Sequence, residues 1–365
     1  MALASVVTLL GAGYAWWQFR DANNGLQRVN FNPRAAQTKP DADGKDQNLL
    51  VVGYDSRAGL TNEEIKQLHV GHDVSSSTDS MMIIHVPANG SKATLISLPR
   101  DAYVEIPGHG MNKLNAAFVE GSNSLPSTAT DTEHKAAGAQ LLTETISNLT
   151  GLTIDHFVLV SFGGFVAISD AIGGVEVNLC DAVDDSPAAN QAAGLEGGSG
   201  LVLSAGKHKI KGAQALQFVR QRHFLPNGDL DRTARQRYFL TQAFRSVVST
   251  GTLLNPGRLS ALVSAVDRSI WVDKSLDLQS LALQMSSLDP NNIISKAIPF
   301  VRFETVDVGS VEILDIAKVQ AFVKNLINPP PAPSTTASKP ATSSTSHPAT
   351  SHSSTPRKST SACIN

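Results

Sequence analysis

Residues 48–57 read NLLVVGYDSR, residues 75–86 read SSSTDSMMIIHV and residues 94–101 read TLISLPRD. NLLVVGY (48–54), SMMIIHV (80–86) and TLISL (94–98) are short runs rich in apolar and β-branched residues, and each predicts a strand. Farther along, AGAQLLTETISNL (137–149) has helical spacing and stops at Gly151. DHFVLVSF (155–162) and VEVNL (175–179) predict strands, with a short helix around 164–171 between them. AQALQFVRQR (213–222) leads to a long helix from about 231 to 249. Further helices are expected near 257–267, 276–287 and 313–326, and ISKAIPF (294–300) reads as a late strand. Strands and helices intermixed in this way predict an α/β fold, a mixed central sheet flanked by helices.

The chain has 365 residues, 41% of them hydrophobic and 17% charged, enough for one large domain or two ordinary ones and too apolar for a wholly disordered protein. A net charge of −2 gives non-specific nucleic-acid binding no support, so nucleic acid is not an expected partner. Two cysteines, Cys180 and Cys363, exclude a disulfide-dense scaffold and a multi-cysteine zinc module. Cys180 lacks a histidine partner in sequence and reads as a buried structural cysteine or as half of a disulfide.

Residues 1–19, MALASVVTLLGAGYAWWQF, carry no charged side chain. As a helix they would be about 28 Å long, with Trp16 and Trp17 where an interfacial belt lies. A single-pass membrane anchor is the leading reading; a signal peptide and a buried core helix are the alternatives. Arg20 and Arg28 follow the run, which by charge alone would put that side in the cytoplasm unless a basic segment precedes Met1. Residues 20–46 read as a linker and 47–328 as the folded part. Residues 329–365, opening with PPPAP and rich in Ser, Thr and Pro, read as a disordered tail.

No Walker loop, nucleophile elbow or zinc-protease motif occurs. What remains is charge at strand ends: Asp55 and Arg57 after the first strand, Asp79 before the second, Arg100 and Asp101 after the third. A denser cluster runs from Arg220 and Arg222 through Asp229, Asp231, Arg232, Arg235 and Gln236. If 218–222 is extended, Arg220 and Arg222 share a face. If a helix begins near Asp231, then Arg232, Arg235 and Gln236 share one as well. Guanidiniums converging on a helix N-terminus suit a phosphate or pyrophosphate. Asp55 and Asp79 suit a hard cation such as Mg2+, which takes one or two protein carboxylates and completes its shell with water and phosphate oxygens. The competing reading is a set of surface ion pairs and a solvated helix face. Asp229 and Asp231 are the candidates for a general base.

These strings, with TLISLPRDAYVEIPG, MNKLNAAFVEG, DHFVLVSFGGFVAISDAIGGVEVNL and GKHKIKGAQALQFVRQRHFLPNGDLDRTARQR, resemble the LytR-CpsA-Psr family in order and wording over roughly residues 47 to 250. The resemblance implies an αβα sandwich with a lipid-binding tunnel, anchored in the cell membrane with its catalytic domain outside the cytoplasm. It implies a phosphotransferase that takes a glycopolymer from a polyprenyl-pyrophosphate carrier and joins it to peptidoglycan through a phosphodiester. Teichoic acid and arabinogalactan are glycopolymers of that kind. Mg2+ is the implied cofactor, with Mn2+ as its substitute. The metal carboxylates would be Asp55 and Asp79. Arg100, Arg220, Arg222 and Arg232 would bind and activate the pyrophosphate, with Asp229 and Gln236 completing the set. Arg57, Asp231 and Arg235 lie in the same motifs, Arg57 and Arg235 as further pyrophosphate ligands. Phe157, Phe162 and Phe165 would neighbour the tunnel. A hydrolase of the lipid pyrophosphate and a non-catalytic lipid-binding regulator are the alternative functions.

Overall fold

An apolar run that does not alternate with polar residues makes a strand where both faces of a sheet are covered. The three opening stretches meet that condition. The computed structural model describes residues 20, 24–33, 45–57, 60–68, 70, 78–249, 251–252, 255–266, 269–329 and 363–364. In it they form the strands Gln47–Tyr54, Thr78–Val86 and Ala93–Leu98. Successive side chains enter opposite layers. Leu50, Val52, Met81, Ile83, Ile96 and Leu98 join the main core with residues from the helices Ala116–Asn123, Asp131–Thr150 and Ile316–Ile327. Met82, Ile84 and Leu95 meet Leu240, Phe244 and Val248 of the helix Asp229–Ser249 on the other side. Val51, Val158 and Val160 meet Phe165 and Ile168 of the helix Phe162–Ala171 there.

The central sheet has seven strands, in the order Gln27–Val29, Ile270–Asp273, His156–Val160, Gln47–Tyr54, Thr78–Val86, Ala93–Leu98 and Ile293–Ala297. Gln47–Tyr54 pairs parallel with His156–Val160 and antiparallel with Thr78–Val86, so the sheet is mixed, as expected. A second sheet of four strands, Arg302–Val306, Gly309–Ile313, Ala102–Ile106 and Gly110–Lys113, was absent from the sequence reading. AYVEI did carry a period-two signal: Ala102, Val104 and Ile106 are buried, and Glu105 is exposed. Val175–Leu179 forms a two-stranded ribbon of its own with Gly206–Ile210.

The segment 20–46, read as a linker, contains an edge strand. Gln27–Val29 pairs parallel with Ile270–Asp273, and Val29 and Phe31 are buried. The Arg28 guanidinium donates to the carbonyls of Asp273 at 3.1 Å, Lys274 at 3.2 Å and Leu276 at 3.0 Å. Three residues are too short for a periodic signal, so only the tertiary pairing reveals them. Arg28 is committed to the fold, which removes it from the charge argument about membrane orientation. The apolar run 1–19 lies outside the described residues, and among the described residues no helix is long and apolar enough to cross a membrane.

The far end of the Ser/Thr/Pro-rich segment is seated on the two-stranded ribbon. Cys363 is disulfide-bonded to Cys180. The Cys180 N–H donates to the Ile364 carbonyl at 3.1 Å, and the Ile364 N–H donates to Asn178 at 2.8 Å. Residues 330–362 lie outside the described part.

Candidate functional site

The site begins with a register fault. Gly53 pairs with Ser80, but Tyr54 pairs with Thr78, so Asp79 is the extra residue of a bulge. Bulges re-aim a side chain at the end of a ladder. Gly53 allows the close approach: a Cβ there would lie 3.2 Å from that of Ser80. Asp55, one residue past the end of its strand, and Asp79 come to the same sheet end. Asp79 lies within its strand, not ahead of it.

Arg100 follows the neighbouring strand. Its Nη1 lies 2.7 Å from Asp79, its Nε 3.3 Å from Asp101 and its Nη2 4.0 Å from Asp229. Asp229 in turn lies 2.5 Å from Nη2 of Arg232, one helical turn away. Asp79, Arg100, Asp229 and Arg232 thus form an alternating chain of charge. The helix Gly212–Arg220 runs farther than an extended 218–222 would allow, and it stops at an extended Gln221. Arg220 and Arg222 therefore flank a helix end. Arg220 donates to the Leu68 carbonyl at 2.9 Å and lies over the Phe162 ring at 5.4 Å. Gln236 donates to the Val219 carbonyl at 3.1 Å, tying the long helix to this one.

Between these elements lies a cavity of about 460 Å³. Asp55, Asp79, Arg220, Arg222, Arg232 and Gln236 line its polar part; Phe162, Phe165, Leu216, Phe239, Leu240 and Ala243 line its apolar part. Arg100 and Asp229 adjoin it through their ion pairs, and Arg57 does so 3.5 Å from Asp55. Three of the expected residues lie elsewhere. Arg235 is 1% exposed, stacks over Phe218 at 5.1 Å and donates to Gln221, so it braces the segment behind the cavity and does not reach a pyrophosphate there. Asp231 holds the amide of Asn227 at 2.9 Å and its side chain at 3.1 Å, which engages it in the turn before the helix. Phe157 belongs to the opposite core, edge-on to Phe31.

Burial pushes the Arg232 guanidinium down to about 10, and the charges of Arg100 and Arg222 add to the fall. Burial lowers Arg220 too. Burial alone would also lower Arg100, but Asp79, Asp101 and Asp229 raise it on balance. Buried arginines that repel one another beside an open cavity make a receptor for an anion. The Asp55 carboxyl is raised, first by burial and then by Asp79, against the lowering effect of Arg57. Asp55 Oδ1 is buried without a hydrogen-bond partner. A buried carboxylate oxygen that no hydrogen bond saturates, only the 3.5 Å ion pair to Arg57, with a second carboxylate close by, fits a hard divalent cation that brings its own water. Among the described residues no cluster of three or more His, Cys, Asp or Glu side chains is arranged to hold a metal, so any such ion would rest on this pair.

The sequence reading missed one wall. Asp185, Glu196, Ser199 and His223 also line the cavity. The first three sit in a Gly- and Ala-rich stretch with no motif, and His223 stands directly beside the arginine pair, where its sequence assigns it no separate role.

Residues 19–327 match the LytR_cpsA_psr family. The chain is 36% identical over 347 residues to the cell wall biosynthesis protein LcpA of Corynebacterium glutamicum, covering 90% of this chain and 64% of that protein. It is 29% identical to the polyisoprenyl-teichoic acid–peptidoglycan teichoic acid transferase TagU of Oceanobacillus iheyensis, covering 69% of this chain and 66% of that protein. It thus spans just under two thirds of both relatives. The fold is that of TagT from Bacillus subtilis, with a TM-score of 0.54 at 21% identity over 83% of this chain and 98% of TagT. On the match across most of its length, the chain belongs to the LytR_cpsA_psr family.

Proposed function

We propose that the protein is a cell wall phosphotransferase that moves a glycopolymer from a polyprenyl-pyrophosphate carrier to a peptidoglycan hydroxyl. The observation that carries this reading is the cavity itself, apolar along one wall and lined with arginines at the other end. Such a receptor suits an amphiphile whose anionic head is a pyrophosphate and whose tail is hydrocarbon. TagU is named for joining teichoic acid to peptidoglycan, and TagT has been solved bound to LI-WTA and LIIa-WTA.

In this reading Arg220, Arg222 and Arg232 hold the pyrophosphate oxygens, and Arg100 and Asp229 fix Arg232 and Asp79 in place. Phe162, Phe165 and Phe239 shelter the first isoprene units from water. The acceptor hydroxyl attacks the phosphorus that bears the glycopolymer. A new P–O bond forms, the P–O bond to polyprenyl phosphate breaks, and the arginines stabilise the charge that develops on the leaving group. Asp55 and Asp79 would hold Mg2+ or Mn2+, which supplies further charge neutralisation when bound. The disulfide between Cys180 and Cys363 supports an oxidising compartment outside the cytoplasm. Residues 1–19 would then be the single membrane anchor.

The test incubates the full chain with a synthetic polyprenyl-pyrophosphate glycan and a peptidoglycan oligomer, with and without Mg2+, and follows the products by mass spectrometry. A phosphodiester-linked product that disappears in Asp79→Ala and Arg220→Ala is the expected result. Release of polyprenyl phosphate without ligation, in the presence of acceptor, would establish a hydrolase instead. Lipid binding without either product would leave a carrier-binding protein.

A further inference from the structure

The least explained wall of the cavity is the loop that follows Cys180. Asp185 in this loop has no exposed surface. Its carboxylate accepts from Asn190 Nδ2 at 2.8 Å, from the Ser199 N–H at 2.8 Å and from Ser199 Oγ at 2.7 Å. Its backbone is pinned as well, with its N–H on the Leu201 carbonyl at 2.7 Å. Gly198 is required for this packing. It has φ +119°, and a Cβ there would fall 2.1 Å from Asn190 Nδ2. The loop is thus built around one buried carboxylate that meets only neutral donors within the loop itself.

A further neighbour of that carboxylate is His223, whose Nδ1 lies 3.2 Å from Asp185 Oδ1, within ion-pair distance but without hydrogen-bond geometry. The imidazole is held from its own backbone too. Gln221, itself gripped by Arg235, donates to the His223 carbonyl at 2.9 Å. The next residue, Phe224, is the only non-glycine at positive φ (60°) among the described residues. A bulky residue in the left-handed region carries backbone strain, and such strain gathers at functional sites. His223 and Asp185 both line the cavity that holds the arginines. Among the described residues no hydrogen bond occupies His223 Nε2.

We propose that His223, oriented by Asp185, is the general base of the transfer, taking the proton from the acceptor hydroxyl at Nε2 as the new phosphorus–oxygen bond forms. The proposal rests on the function given above and supplies what that function lacks. Asp229 is paired with Arg232, and Asp231 is engaged with Asn227. The balance is complete. The hydroxyl oxygen gains phosphorus and loses its proton to Nε2, polyprenyl phosphate leaves with the bonding pair, and the imidazolium later gives its proton to solvent. A carboxylate beside Nδ1 favours the tautomer with its proton there and Nε2 free once the ring turns into line, and it stabilises the imidazolium once formed. The other charges lining the cavity with it are Glu196 in the same loop, Arg222 beside it in the chain and Arg232 on the long helix, while Arg235 acts on Asp185 from behind. The Asp55 and Asp79 pair shares the same cavity.

The experiment compares the full chain with His223→Gln and His223→Ala in the transfer assay across pH 5 to 9, with folding checked by circular dichroism. Loss of a general base costs about 10²–10⁴-fold in turnover. The expected result is a loss of that size in kcat with the donor KM unchanged. The acidic limb of the wild-type pH profile should be absent in His223→Gln, and added imidazole should partly rescue His223→Ala. Turnover within threefold of wild type, or a loss that appears in KM alone with the acidic limb intact, would overturn the assignment. If the wild-type chain transfers nothing, the functional reading fails first and this one fails with it.

Discussion

Arg232 is the residue whose replacement separates stability from function most sharply. Its side chain is 4% exposed, and burial together with Arg100 and Arg222 brings it down to about 10. At pH 7 both the folded and the unfolded chain carry this charge, so the full penalty is present there. A displacement of that size from the ordinary arginine value corresponds to about 3 kcal/mol. Arg232→Met removes the charge and keeps most of the volume. It also removes the ion pair to Asp229, whose attraction is already contained in that net displacement, and water in the cavity beside the side chain trims the gain. The ligand-free variant should therefore be more stable than wild type by about 2 kcal/mol, as replacement of buried ion pairs by apolar side chains often is. Urea unfolding at pH 7 in anion-free buffer measures this directly. Inorganic pyrophosphate should reverse the order. At one hundred times its dissociation constant it stabilises wild type by about 2.7 kcal/mol, while the variant gains far less. A variant less stable than wild type without anion, or one that responds equally to pyrophosphate, would refute the view that these arginines are held apart for a ligand.

Three further outcomes follow from neighbouring parts of the molecule. The Glu312 carboxyl is raised to about 7 by burial, then by Asp101 and Asp229. Its contribution to stability is therefore present below pH 4.5 and lost as pH rises through 7. After allowance for partial exposure, Glu312→Gln should raise Tm by about 2–4 °C at pH 8 and leave it unchanged at pH 4, in calorimetry at both pH values. Ala243 lines the apolar part of the cavity, so Ala243→Trp should weaken binding of a polyprenyl-pyrophosphate donor at least tenfold by fluorescence titration. The stabilisation by inorganic pyrophosphate should survive in that variant, and its loss would mean that the two parts of the cavity are not separate. The disulfide closes a sequence separation of 183 residues, for which chain entropy sets a ceiling of about 5 kcal/mol. Cys180→Ser and Cys363→Ser should lower the urea midpoint equally, and a reductant should lower wild type to the same value without affecting either variant.

The central strands were legible because burial on both faces demands uninterrupted apolar residues, and Leu50, Met82 and Leu95 are such residues. Asp55, Asp79 and Arg220 were legible because charge set directly against such runs is costly unless it is used. Other features depend on partners that the sequence does not name. Arg232 and Arg235 are the same residue type three positions apart, yet one faces the cavity and the other stacks on Phe218. Only the packing of two helices separates them. Gln27–Val29 is a strand because Ile270–Asp273 lies beside it, more than two hundred residues away. The Asp185–His223 pair joins a Gly- and Ala-rich loop without periodicity or motif to the end of the arginine motif, and the far end of a Ser/Thr/Pro-rich segment is brought back by a bond to Cys180.

The alternating chain from Asp79 to Arg232 also predicts how ligands cooperate. Asp79 is committed to Arg100 at 2.7 Å, and Asp229 to Arg232 at 2.5 Å. An anion arriving alone must draw the arginines away from carboxylates that then lack a counterion. A cation arriving alone at Asp55 and Asp79 leaves Arg100 with less of its compensating charge. Each half-exchange exposes an uncompensated charge in a partly buried place, which costs several kcal/mol when nothing replaces the lost partner. When both ligands arrive, the pairs exchange completely and no charge is stranded. Pyrophosphate and Mg2+ should therefore bind with positive coupling of about 1–3 kcal/mol, each raising the affinity of the other about 5- to 150-fold. Calorimetric titration of each ligand with and without the other gives both legs of the cycle, after correction for the complex the two form in solution. Asp79→Asn breaks the exchange at its first pair and should bring the coupling close to zero while leaving pyrophosphate binding measurable. Independent binding of the two ligands in wild type would show that the Asp79–Arg100 pair stays closed throughout, and that the carboxylates serve to position the arginines and do not hold a metal.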